Sequence, residues 1–149
     1  MVKIEIETMD ITHLDDVYKI EEESFSIPWS RDSFTEEIFR TNAIYVVALI
    51  DKQVVGYGGM WHIINEGHIT NIAVEEKSRK MGIGDAIIKK LEYIAKSLDM
   101  IGLTLEVRMN NAPAQRLYLR NGFEVEGIRK NYYSDTKEDA LVMWKNFKK

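Results

Sequence analysis

The chain has no cysteine. That excludes disulfide bridges, thiolate zinc sites and a cysteine nucleophile together. Proline occurs twice, at Pro28 and Pro113, and no linker, low-complexity tract or internal repeat interrupts the 149 residues. No apolar run approaches the ~18 residues of a membrane-spanning helix. The opening "MVKIEIETMD" has no basic flank followed by an apolar stretch, so it does not read as a secretory signal. The histidines His13, His62 and His68 show no metal-ligand spacing; they read as structural, and no metal is expected. An excess of positive charge is also missing. The formal net charge of -4 argues against broad, sequence-blind nucleic-acid binding, though not against a local basic patch. What remains is the expectation of one cytoplasmic domain spanning residues 1–149. It is 45% hydrophobic and 30% charged, and long enough to bury a core.

The patterning predicts an α+β chain. "VKIEIET" alternates as a strand, and "ITHLDDVYKIEEESF" follows with Leu14, Val17 and Ile20 on one helical stripe and a cap-like start at Thr12. "SIPWS" breaks that helix. Ser30 then caps a short second one that buries Phe34 and Ile38. "AIYVVALID" and "VVGYGGMWHI" form a hairpin across "DKQ", and "NEG" turns into a third strand, "HITNIAV". A long helix places Ile83, Ile87, Leu91, Ile94 or Ala95, and Leu98 on one face. The strand "LTLEVR" leads to a short helix, "NNAPAQRLYLRNG", with Asn111 near its start, Pro113 in its first turn and Gly122 past its end. "FEVEGIRKNYY" and "ALVMWKNF" complete the order β-α-α-β-β-β-α-β-α-β-β. That order describes a sandwich with helices on both faces of a mixed, mostly antiparallel sheet.

"RKMGIG" (Arg79 to Gly84) joins a strand to the long helix. Two glycines are a costly way to begin a helix unless something must approach the backbone. The free N–H groups of a first helical turn, with the helix dipole behind them, bind phosphate. Arg79 and Lys80 add charge, with Lys77, Lys89 and Lys90 nearby in sequence. The dinucleotide pattern G-x-G-x-x-G fails at Ile87, and no Gly-Lys-Ser/Thr occurs. A nucleotide-phosphate protein is therefore a distant reading. The spacing present is R-x-x-G-x-G. A flexible turn with solvated charges is the plain alternative.

A second feature is a carboxylate in an apolar strand. In "TLEVR", Leu105 and Val107 share one face, while Thr104, Glu106 and Arg108 share the other. Glu106 must find a partner or raise its pKa. It is either a general base or a salt-bridged glutamate, with Arg108 as a candidate partner.

R-x-x-G-x-G between a central strand and a long helix resembles the acetyl-CoA motif of the GNAT family of N-acetyltransferases. "GHITNIAVEEKSRKMGIG", "LTLEVRMNNAPAQRLYLRNGF" and "IRKNYYSDTKEDALVMWK" are similar to its RimI-type ribosomal-protein-alanine acetyltransferases, over nearly the whole chain. The chain departs from many members at Lys80-Met81, where an Arg-Gly pair is common. That change matters only if the position of Met81 requires a positive φ.

The resemblance implies a GNAT-like α/β/α sandwich and acetyl transfer from acetyl-CoA to an amine by direct attack. Backbone groups of Ile72, Ala73, Val74, Arg79, Lys80, Met81, Gly82, Ile83 and Gly84 would hold the cofactor. Asn111 would bond the pantetheine arm or simply cap its helix. Glu106 matches the base position. Tyr118 matches the acid that protonates the departing thiolate, where the residues alone favour a core aromatic. The acceptor would be a protein N-terminus, an alanine of a small-subunit ribosomal protein, met by a monomer or weak dimer without membrane or direct nucleic-acid contact. An α-amine (pKa ~7.7–8.0) is neutral about a tenth of the time at pH 7, a lysine (pKa ~10.4) far less, so a modest carboxylate suffices for the former. Phe25, Trp29, Asn71, Tyr132 and Tyr133 are the expected acceptor walls, with Asp135 or Asp139 attracting its ammonium. Each has a plain structural alternative. Acetylation of a small amine or a lysine, and a CoA-binding module without turnover, are the competing functions.

Overall fold

The computed structural model describes residues 2–147. Its elements are β1 (Glu5–Thr8), α1 (Leu14–Ser24), α2 (Arg31–Ile38), β2 (Ala43–Ile50), β3 (Gln53–Ile63), β4 (Glu66–Val74), α3 (Ile83–Ser97), β5 (Gly102–Arg108), α4 (Ala112–Arg120), β6 (Glu124–Arg129) and β7 (Ala140–Asn146). This is the order that the patterning predicts. The strands form one sheet in the order β1-β2-β3-β4-β5-β7-β6. Every neighbouring pair is antiparallel except β4 with β5.

Both sheet faces are covered. Val17, Ile20 and Phe34 from α1 and α2 pack with Val47 and Tyr57 on one side. Ile83, Ile87, Ile88, Leu91 and Ala95 of α3, with Tyr118 of α4, pack with Met60, Leu103 and Leu105 on the other. Local signals set the boundaries. The Ser30 hydroxyl accepts from the Ser33 N–H at the start of α2, and the Asn111 side chain accepts from the Ala114 N–H at the start of α4. Two expectations need correction. The side-chain cap belongs to Asp10, at the head of a short 3-10 turn (Ile11–His13) that leads into α1; it accepts from the Thr12 N–H and forms a reciprocal capping box with His13. Leu98 lies outside the core because α3 ends at Ser97, leaving it 46% exposed.

The feature that positions the site is a fork in the sheet. β4 and β5 pair only at Glu66–Gly102, Gly67–Leu103 and His68–Thr104. Beyond His68 the strands part. The cause is a bulge in β4: Met60 opposes Ile69 and Gly59 opposes Asn71, so Thr70 is the extra residue that bends the strand. Gly59 permits it. A Cβ there would sit 2.0 Å from the Tyr45 ring, whose hydroxyl lies 3.0 Å from Thr70 Oγ1.

Candidate active site

A cleft of about 520 Å³ fills the fork, with Ile69 to Ile72 on one wall and Leu105 to Arg108 on the other. Glu21, Phe25 and Trp29 close one end, and Asn111, Tyr118, Tyr133 and Asp135 also line it. Residues 69–74 have no β5 partner. Among the described residues, the fork-facing N–H and C=O groups of residues 69–73 make no bond to β5 and can meet an extended ligand as a sheet edge does. Ile72 lines the cleft, and Ala73 and Val74 continue the same edge.

At the far end of that edge α3 begins without a side-chain cap. Its first internal bond runs from the Ala86 N–H to the Gly82 C=O, 3.1 Å. The N–H groups of Ile83, Gly84 and Asp85 precede it and point out of the helix end. Gly82 has φ +83° and open space where a Cβ would stand, so the turn needs glycine for its backbone. The other positive φ falls on Lys80, +65°, and not on Met81. The Lys80-Met81 departure thus leaves the turn's shape intact. Gly84 has a different reason: a Cβ there would lie 3.2 Å from Leu117, so it also lets α3 and α4 approach. Arg79 is exposed, with its Nε donating to the Val74 C=O at 3.1 Å.

Glu106 stands where β4 and β5 separate. Its Oε1 lies 2.9 Å from His68 Nε2 and its Oε2 3.3 Å from Arg129 Nε, and its side chain is only 10% exposed. The His68 hydrogen bond, with the Arg129 charge, holds the carboxyl below its ordinary range. An ionised carboxylate only accepts, so His68 Nε2–H is the donor. Arg108, the candidate partner from sequence, is taken elsewhere. Its guanidinium bonds both oxygens of Asp135, at 3.1 and 3.0 Å, reaches Glu138 at 3.4 Å, and stacks 4.0 Å above the Tyr133 ring.

Tyr118 is buried and packs edge-on against Phe123 at 5.6 Å, and its hydroxyl has no hydrogen-bond partner among the described residues. Burial pushes its hydroxyl far up, so it is protonated at neutral pH. Asn111 is the α4 cap and faces the cleft as well.

The acceptor-wall candidates divide. Trp29 packs on Phe34 at 5.3 Å and lines the cleft, as do Phe25 and Tyr133. Tyr132 lies outside its wall, 48% exposed and edge-on to Tyr133 at 5.1 Å. Asp135 is held by Arg108 and by the Ser26 hydroxyl, 2.9 Å, which ties the loop after α1 to the loop after β6. Asp139 braces its own loop by accepting from the Asn131 N–H at 2.9 Å, and it does not line the cleft. Both carboxylates are thus engaged, Asp135 at the cleft and Asp139 away from it.

Sequence reasoning missed three residues. His68 is the Glu106 partner. Glu21, 2% exposed, accepts from the Trp29 N–H at 2.8 Å, from the Tyr57 hydroxyl and from Asn71 Nδ2 at 3.2 Å. Burial, the largest influence, pushes its carboxyl up. The available signal was its place one turn after Val17 on the apolar stripe of α1. Ser24 Oγ is a buried hydroxyl with no partner among the described residues, on a residue lining the same cleft.

The family model of the Acetyltransferase (GNAT) family matches residues 14–123. The chain belongs to the GNAT acetyltransferases. It is 41% identical over 143 residues, 95% of both chains, to a Bacillus subtilis (strain 168) protein named as a putative ribosomal protein bS18-alanine N-acetyltransferase. It is 30% identical over 140 residues to the ribosomal protein bS18-alanine N-acetyltransferase of Escherichia coli (strain K12), covering 93% of this chain and 94% of that one. The crystal structure of the ribosomal-protein-S18-alanine N-acetyltransferase from Escherichia coli superposes with a TM-score of 0.88 at 28% identity, over 97% of this chain and 94% of the other. This GNAT chain is therefore an N-acetyltransferase that uses acetyl-CoA. The free β4 edge and the uncapped α3 start suit an extended pantetheine amide and a diphosphate. No described helix is long and apolar enough to cross a membrane.

Proposed function

We propose that this GNAT enzyme acetylates a protein N-terminus, an alanine of a small-subunit ribosomal protein, in the cytoplasm. The observation that carries the reading is the ionised Glu106 at the apex of a fork whose cleft also reaches the protonated Tyr118. The acetyl donor lies along the β4 edge, its diphosphate at the N–H groups of residues 83–85 and its pantetheine arm beside Asn111. The acceptor α-amine enters from the side of Phe25, Trp29 and Tyr133. Glu106 takes its proton, and the neutral nitrogen attacks the thioester carbonyl. A backbone N–H of the β4 edge steadies the developing oxyanion. Tyr118 gives its proton to the departing sulfur as the C–S bond breaks, and the second proton shed by the nitrogen of the tetrahedral adduct restores the phenol. His68 keeps the carboxylate oriented by holding Oε1. The Ser26–Asp135 bond joins two loops that line the cleft.

The resemblance of the whole chain to bS18-alanine acetyltransferases supports the acceptor class. Mass spectrometry tests it. Alanine-starting ribosomal-protein peptides incubated with enzyme and acetyl-CoA gain one acetyl group at the terminus, while internal-lysine peptides and polyamines are left unmodified. Acetylation of the polyamines or internal lysines alone would overturn the reading.

A further inference from the structure

Both oxygens of Glu106 are occupied at rest, and the two occupants differ. His68 comes from the paired end of β4, 30% exposed, at 2.9 Å. Arg129 comes from the end of β6, reaching over β7, 57% exposed, with Nε at 3.3 Å. The Arg129 guanidinium has no second carboxylate among the described residues, and its Cζ lies 6.0 Å from the exposed Tyr132 ring. It is thus a cation on one long bond with a ring surface beside it. Each carboxylate oxygen can accept a second hydrogen bond, but an ammonium arriving at Oε2 meets the like charge of the guanidinium there, and repulsion displaces the weaker-held cation.

We propose that Arg129 is a positioning residue that holds the place of the acceptor's ammonium on Glu106 Oε2 and swings out over Tyr132 when the acceptor docks. The inference rests on Glu106 being the base. Between turnovers the guanidinium keeps the buried carboxylate paired, and once the terminus is acetylated the neutral product exerts no charge on it and Arg129 returns. The other charged groups around Glu106 do not compete for this role. Arg108, on the same strand face, is committed to Asp135 and Glu138. Tyr133, pushed up to about 12 mainly by burial, and Tyr132, raised by burial, stay neutral. His68 is the donor on the opposite oxygen.

Arg129→Met removes the competing cation and keeps the apolar stem. The test measures binding of an alanine-starting hexapeptide and of its N-terminally acetylated form to the enzyme loaded with CoA, by calorimetry at pH 6.5, where the terminus is mostly charged. The expected result is roughly three- to fivefold tighter binding of the free-amine peptide, the scale of an exposed ion pair, with the acetylated peptide unchanged. In a Glu106→Gln background the substitution no longer distinguishes the two peptides. Equal changes for both peptides, no change, or weaker binding of the free-amine peptide overturns the proposal. The underlying reading fails separately, if Glu106→Gln alone keeps the wild-type turnover.

Discussion

At the residue scale the site turns on how one carboxylate is held. Glu106→Gln keeps the size and the His68 contact but cannot take a proton. Its kcat is expected to fall on the order of 100-fold, with CoA affinity by calorimetry within twofold of wild type. Because the His68 hydrogen bond and the Arg129 charge depress the Glu106 carboxyl, it is ionised throughout the pH range above its ordinary value. The wild-type kcat/KM profile should then be level between about pH 6 and 7, where ionised Glu106 meets the acceptor as its ammonium, and fall as that ammonium is lost above its pKa (~7.7–8.0). A limb near pH 6 that Glu106→Gln abolishes would contradict the assignment. Tyr118→Phe should lower kcat while leaving the KM for the peptide within twofold, since the hydroxyl makes no bond among the described residues that its loss could break. Glu106 was visible in sequence because a charge in an apolar strand is conspicuous. Its partners were not, since His68 lies 38 residues away and Arg129 lies 23.

At the element scale the start of α3 separates two uses of glycine. Gly82 serves the backbone turn, with φ +83°. Gly84 serves close packing, its missing side chain facing Leu117 of α4 at 3.2 Å. From sequence, Gly84→Val is expected only to crowd the diphosphate. The structure adds a clash between helices. Gly84→Val should therefore lower the Tm and weaken CoA binding together. Adding Leu117→Ala should recover part of the Tm, measured by thermal melting, while the CoA affinity stays low. Recovery of both would mean that Gly84 serves packing alone. The helix itself was legible, because an apolar stripe at helical spacing and a glycine turn are local signals. That Leu117 is the neighbour was not, because α4 is a separate element docked beside it.

At the scale of the whole molecule the sheet is held open at one fork and bound across it by charge. The Asp85 carboxyl is lowered chiefly by its Arg120 hydrogen bond, between α3 and α4, and Glu106 chiefly by its His68 bond. A carboxyl depressed in the folded state contributes stability above its unfolded value, near 3.8 for Asp85 and 4.5 for Glu106. That contribution is lost as pH falls through the lower folded value. Urea midpoints should accordingly drop between pH 5 and pH 3. Asp85→Asn combined with Glu106→Gln should flatten that drop. Glu21 works in the opposite sense: burial raises its carboxyl, so its contribution is present below about 4.5 and fades as pH rises through the raised folded value.

Sequence alone determined the order of the elements, the caps at Ser30 and Asn111, the inward stripes, the phosphate-type turn and the carboxylate in "TLEVR". Each of these depends on residues within a few positions of one another, where periodicity and hydrogen-bonding chemistry act directly. The tertiary structure decided which charges meet: His68 and Arg129 on Glu106, Asp135 and Glu138 on Arg108, Trp29, Tyr57 and Asn71 around Glu21. It also decided where the cleft opens. Those contacts depend on β4, β5, β7 and β6 lying side by side out of chain order, and on one extra residue, Thr70, bending β4 from its neighbour. No local period encodes either.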